Sequence, residues 1–433
     1  MSLDRPPEGG WVPTPAHLRA VAMAAACLVA AAVGRRADLA VLGAPFLVVA
    51  AWGARHRPRG AITPAMDVEA RTLFEGQATV ARVAAAPGPD GGTGDVVAAV
   101  MSPGPWMAAD PPGAAAASAS GGGRAAVEVP LRAMRWGRHE VALHKVTCTS
   151  PLGAYRAVGG RLPAVTVTAM PRGADFNAID AMPRPAGLVG LHRSRRQGPG
   201  SEPAEVRPFR PGDRLRRINW AVSSRTGSLH VTSTWVDRDA HVLLLLDTEH
   251  DVGVSEGVDG KASSLDTAVR GAAAIGGHYL RAGDRVGLLD LGRRVRDVPV
   301  GSGRRHLRRL LEVLVAAQPG PSHGSEPVRI RPLTAGALVI ALTPLVGRTA
   351  PAQVAHLVQH GHTVVVVDTL PEVTDGDHTP WHVLAVRLRA IERAMEIDRL
   401  GELGVPVVRW HGRGTLDEVL RDVSRLASAP RRR

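Results

Sequence analysis

Hydrophobic and polar positions divide this chain into three regimes. Leu18 to Val33 is apolar except for Arg19; Gly34-Arg35-Arg36-Ala37-Asp38 follows, and then a second apolar run from Leu39 to Ala54. The middle of the chain alternates with period two at Thr79–Val83, Val127–Leu131, Glu140–Val146 and Ala164–Thr168, which predicts short half-buried strands. Turn signals separate them at Glu75-Gly76, Arg135–Arg138 and Ser150-Pro151-Leu152-Gly153. The last regime opens on His241–Asp247, a continuous apolar run ending in an acid, as buried parallel strands read.

The two N-terminal runs are each 16 residues, close to the roughly 20 that cross a bilayer. The second follows the first at once, so a transmembrane helical hairpin over 16–57 is expected rather than a cleaved signal peptide. Trp52 suits a membrane interface. Arg5, Arg19, Arg55, Arg57 and Arg59 flank the hairpin, against Arg35 and Arg36 in its turn. The positive-inside rule then expects the main domains on the cytoplasmic side of the cell membrane, with 1–15 as a tail.

Residues 60–170 read as a small β-sandwich domain. Within it, 86–123 is rich in Ala, Gly, Pro and Ser, and is expected to form mobile loops around at most one strand, Val96–Val100. With no catalytic cluster visible there, a spacer or protein-binding role is expected.

From 235 to 427, strands and helices alternate. Strands are predicted at 241–247, 285–291, 337–342, 363–368 and 405–410. Helices are predicted at 264–281 (N-cap Ser264, stop at Gly283), 303–317, 351–359, 383–401 and 416–426. This alternation predicts an α/β domain with an open parallel sheet covered on both faces. Ligands of such sheets bind at the carboxyl ends of the strands, which points to Asp247 and Thr343. A basic tail, 428–433, closes the chain.

Composition changes this picture in one place. Over 433 residues the net charge is +13, with 45% hydrophobic and 3% aromatic residues. The charge suggests an anionic neighbour, and it concentrates: from Arg184 to Arg225 ten arginines face three acids. Two cysteines, Cys27 and Cys148, make neither a disulfide framework nor a metal site.

Inside that basic linker, 171–234, lies an ordered stretch: Arg207-Pro-Phe209-Arg210-Pro211-Gly212-Asp213-Arg-Leu215-Arg216-Arg217-Ile218-Asn219-Trp220, then Arg225 and Gly227 to Val231. Pro-Gly-Asp is a turn signal. Asp213 among arginines predicts a bidentate pair. Ile218 and Trp220, two apart, are expected to anchor the segment on the sheet, beside Phe209. The stretch resembles the hallmark of the domain of unknown function 58 family, with Phe209 where a tyrosine is usual and Asn219 where an aspartate is usual. The flanks agree with the resemblance: a helical hairpin first, a β segment with SPLGAYR and VTVTAMP, and an α/β domain after.

The resemblance implies a von Willebrand factor A-like C-terminal domain. Some such domains bind Mg²⁺ through Asp-x-Ser-x-Ser. Here Asp247, Glu249 and Asp251 offer carboxylates at that spacing, but the serines are missing and Leu342-Thr343-Pro344 holds no acid. The loop therefore reads as degenerate, and no cofactor is expected. The resemblance also implies a MoxR-type AAA+ ATPase as partner. Without Walker, HExxH, GxSxG or CxxC motifs, no enzyme and no small-molecule substrate are expected. The expected function is a membrane-anchored adaptor or scaffold in assembly or maturation of envelope or other complexes. The alternative is nucleic-acid or anionic-lipid binding through 184–225. Against nucleic acid stand the few aromatics and the lack of a recognition motif.

Overall fold

The computed structural model describes residues 10–87, 96–118, 126–172, 197–210, 213, 215, 218–235, 241–292, 297–320, 337–371 and 380–410. The chain divides into two compact units, 1–170 with 257–259, and 171–256 with 260–433.

The first unit starts with α1 (Pro15–Gly34) and α2 (Ala37–Arg55). Thr14 caps α1 by accepting from His17 N–H, with Pro15 at the first helical position, where a missing N–H costs nothing. Both helices extend past their apolar runs, so each is long and apolar enough to cross a membrane. Only 11% and 17% of their most apolar stretches are buried, whereas the core helix of a globular domain is mostly buried. They pack through small residues. A Cβ on Gly43 would lie 2.7 Å from Cys27 Cβ, so the glycine permits the approach. At the foot, Thr14 Oγ1 donates to Gly153 O at 2.7 Å, and the His17 ring lies 5.2 Å from that of Tyr155.

The strands of this unit are β1 (Trp11–Pro13), β2 (Ile62–Val68), β3 (Thr72–Phe74), β4 (Ala78–Pro87), β5 (Val96–Pro103), β6 (Met107–Ala109), β7 (Ala114–Ser118), β8 (Ala126–Ala133), β9 (Gly137–Thr149), β10 (Tyr155–Gly159) and β11 (Val165–Met170). One sheet runs β1-β10-β9-β11-β3, with β5 paired to β9 and to β7; the other runs β2-β4-β8-β6. Alternation decides which side is dry: Val127, Val129, Leu131 and Ala133 of β8 are buried while their neighbours are exposed. They join one apolar cluster with Val97 and Met101 of β5 and Val141 and Leu143 of β9.

The expectation of at most one strand in 86–123 is corrected. The end of β4 and all of β5, β6 and β7 lie there. β7 pairs with β5 through backbone groups, from Val96↔Ser118 to Val100↔Ala114. A ladder needs no large side chains on its outer strand once the inner one is packed, so the alanines did not forbid it. Residues 88–95 and 119–125 of that stretch lie outside the described residues.

The second unit opens with an antiparallel ribbon, β12 (Gln197–Pro208) with β13 (His230–Trp235), and α3 (Trp220–Thr226) between them. The linker expected at 171–234 is thus partly ordered structure. Then come β14 (His241–Leu246), α4 (Ser264–Ala282), β15 (Arg285–Asp290), β16 (Val298–Gly301), α5 (Arg304–Leu314), β17 (Leu338–Thr343), α6 (Thr349–Gln359), β18 (Thr363–Asp368), α7 (Pro380–Glu402) and β19 (Val407–Arg409). The predicted helix at 416–426 and the tail at 428–433 lie outside the described residues.

The sheet order is β16-β15-β14-β17-β18-β19. All neighbours are parallel except β15 and β16, so the expected all-parallel sheet is mixed. The residues between Asp290 and Val298 are too few for a parallel crossover, which takes about a dozen. α4 packs closely through its glycines: a Cβ on Gly271 would lie 2.8 Å from Leu342, and one on Gly276 would lie 3.3 Å from Leu244 and Leu310. Its N-cap is Ser263 rather than Ser264; Ser263 and Asp266 exchange capping-box hydrogen bonds.

Candidate functional site

Strand β14 is flanked by β15 on one side and β17 on the other, so the chain switches direction across the sheet beside it. A crevice at the carboxyl ends is expected at such a point. Asp290, Thr343 and Asp368 end β15, β17 and β18, and Asp247 directly follows β14. Their side chains are buried and each is engaged by a polar neighbour. Thr343 Oγ1 donates to Asp247 Oδ2 at 2.6 Å, and Glu249 N–H to Asp247 Oδ1 at 3.0 Å. Thr248 Oγ1 donates to Asp290 Oδ1 at 2.7 Å. Asp368 forms an ion pair with Arg393 of α7. Burial pushes the Asp247 carboxyl up from its usual range, against the pull of the Thr343 and Glu249 hydrogen bonds.

Of the three carboxylates read as a degenerate metal loop, the structure keeps two together. Asp251 is the correction. Its Oδ1 accepts from Leu265 N–H at 3.0 Å and Ser264 Oγ at 3.3 Å, so it faces the start of α4, where unpaired N–H groups attract an acid. His250 takes the third place: one donor atom each from Asp247, Glu249 and His250 lie within 4.8 Å of one another. Sequence reasoning passed over His250 because the expected spacing was alternate. It also passed over Asp290 and Asp368, although each ends an apolar strand as Asp247 does.

The motif residues occupy the ribbon. Arg207, opposite Val231 in the ladder, donates from Nη1 and Nη2 to both oxygens of Asp213, at 2.9 and 2.7 Å. Asp213 also accepts from Arg210 N–H at 2.9 Å. The guanidinium of Arg207, and next that N–H, hold the Asp213 carboxyl below its usual range. Phe209 N–H donates to Leu229 O, and Ile218 bridges to Val231. Asn219 caps α3: its Oδ1 accepts from Val222 N–H at 3.2 Å, a role aspartate fills as well. Trp220, expected as an anchor, is 66% exposed, and Arg225 is exposed too. At the first position of α3, Trp220 has left strand periodicity, so it no longer shares a face with Ile218. Pro211, Gly212, Arg216 and Arg217 lie outside the described residues.

Residues 205–372, which take in the end of β12, α3, β13 and most of the sheet, match the family described as "Protein of unknown function DUF58". Uncharacterised proteins of Mycobacterium tuberculosis and Mycobacterium bovis are each 34% identical over 136 residues, covering 31% of this chain and 42% of the relative. The chain thus spans less than half the length of these curated relatives. Among solved structures, a cohesin module from a Clostridium perfringens family 33 glycoside hydrolase is 11% identical with a TM-score of 0.21, covering 26% of this chain and 100% of that one. The cupredoxin domain of amoB from Nitrosocaldus yellowstonii is 12% identical with a TM-score of 0.15, covering 25% and 85%. At such scores neither likeness carries an argument.

Proposed function

We propose that this protein is a membrane-anchored, non-enzymatic adaptor that presents an α/β domain to protein partners. In this reading α1 and α2 form the anchor and the main domains face the cytoplasm. The two sheets of the first unit, which share one apolar cluster, act as a sandwich spacer. The second unit is von Willebrand factor A-like; its strand order and its polar cluster at the carboxyl ends support that assignment.

One observation carries the adaptor reading. On α7, Trp381, Leu384, Leu388, Ile391 and Met395 are 81, 58, 57, 54 and 66% exposed. Their spacing of three and four residues makes one stripe along the helix, the seam that a partner helix covers. Burying a leucine or isoleucine side chain is worth about 1.5–3 kcal/mol, so a stripe left in water is costly unless a partner takes it. Trp220 and Leu215, also exposed, give the motif ribbon an apolar surface of its own. The resemblance implies the partner, a MoxR-type AAA+ ATPase engaged in assembly or maturation of complexes. Purification from native membranes tests this: that ATPase should be enriched with the intact protein, and its absence there contradicts the reading.

A further inference from the structure

We infer that Asp247, Glu249 and His250 form a binding site for a divalent transition-metal ion of the Zn²⁺ class. The inference is independent of the adaptor reading. Three observations bring the site together.

The first is the donor set. A carboxylate oxygen from each of Asp247 and Glu249 and a ring nitrogen of His250 lie within 4.8 Å of one another. The bond lengths of a tetrahedral Zn²⁺ site place its donors about 3.4 Å apart, so atoms that all lie within 4.8 Å of one another are near enough to close on one ion. Mg²⁺, which some von Willebrand factor A-like domains bind, does not fit this set: it takes oxygen donors in near-ideal octahedral geometry and keeps several waters. An imidazole beside two carboxylates suits zinc and its neighbours.

The second is an orphaned acceptor. Glu249 is 9% exposed, and its Oε1 is buried with no hydrogen-bond partner. A buried carboxylate oxygen left unpaired is costly, and a cation bound by this carboxylate offsets that cost.

The third is the cradle. A Cβ on Gly347 would lie 2.7 Å from His250 Cε1 and 3.1 Å from Nδ1, so glycine is what lets the loop after β17 lie against the imidazole. Asp247 is held in turn by Thr343 and by Glu249 N–H, the outer contacts that orient a metal ligand. With three protein donors and His250 at the surface, the fourth position faces water, as in zinc sites that keep an open position.

The test is calorimetry with ZnCl₂ on the full chain in detergent, free of any histidine tag, paired with the absorption spectrum of the Co²⁺-loaded protein. The expected result is one tight Zn²⁺ per chain, not displaced by a large excess of Mg²⁺, and a Co²⁺ spectrum of a four-coordinate ion. His250→Ala and Glu249→Gln should each weaken binding at least tenfold and abolish that spectrum. Melting of the metal-free protein should be preserved in both variants, because His250 is exposed and Glu249→Gln removes an unpaired buried charge. Absence of a stoichiometric site overturns the inference. So does binding that both variants retain, which would place the ion on other histidines of the 17 in the chain. Displacement by Mg²⁺ overturns it too, since that would mark an all-oxygen site.

Discussion

The pairing of Arg207 with Asp213 shows what a single residue can and cannot reveal before the fold is known. Asp213 was legible as a turn acid that would find an arginine. Which one was not, because Arg210, Arg214, Arg216 and Arg217 are nearer in sequence, yet Arg207 on β12 makes the bidentate bond. The Asp213 carboxyl is held below its usual value, so this stabilisation is fully present above the ordinary carboxylate range and fades as pH falls through the folded value. Melting temperatures of wild type and Arg207→Ala should therefore differ by a constant amount above about pH 5 and converge below about pH 4. A gap that persists in strong acid contradicts the pairing. Gly292 offers a second residue-level test. A Cβ there would lie 2.2 Å from Thr248 Oγ1, which is bonded to Asp290. Gly292→Ala should cost about 1–3 kcal/mol in denaturant unfolding by pushing Thr248 off its partner. Trp220 was misread because its face depends on whether residue 220 belongs to a strand or a helix, and the cap at Asn219 decides that.

At the scale of elements, the buried strands were the most legible feature. His241–Leu246, Leu338–Thr343 and Thr363–Asp368 are continuous apolar runs, and both faces of each are covered. The alanine-rich strands were the least legible, since their pairing rests on backbone hydrogen bonds that leave little trace in side-chain pattern. The N-cap of α4 lay one residue before its predicted place. Only the reciprocal bonds of Ser263 and Asp266 distinguish two adjacent serines. Ser263→Ala should destabilise the fold by about 1 kcal/mol, while the same change at Ser264 should spare the capping box. Unfolding by guanidinium measures both. The metal loop divides in the same way: Asp247 was visible as the acid at the end of a strand, whereas His250 enters and Asp251 leaves because the chain turns toward α4.

The whole chain carries both an apolar hairpin and an exposed apolar seam on α7. The hairpin was plain in the sequence because two apolar runs separated by a short basic turn have few other uses in water. The seam was not, because a heptad stripe in one helix reads the same whether its own core or another chain covers it. Carbonate washing should leave the full chain in the membrane pellet, and release into the supernatant would contradict the anchor. The most direct measurement is the affinity of the purified, detergent-solubilised chain for the MoxR-type ATPase, compared with that of the double variant Leu384→Glu/Leu388→Glu. Both leucines are more than half exposed, so melting should be unchanged. The account predicts measurable binding that the double variant weakens at least tenfold. Equal binding by the two proteins, or none by the intact chain, would contradict it.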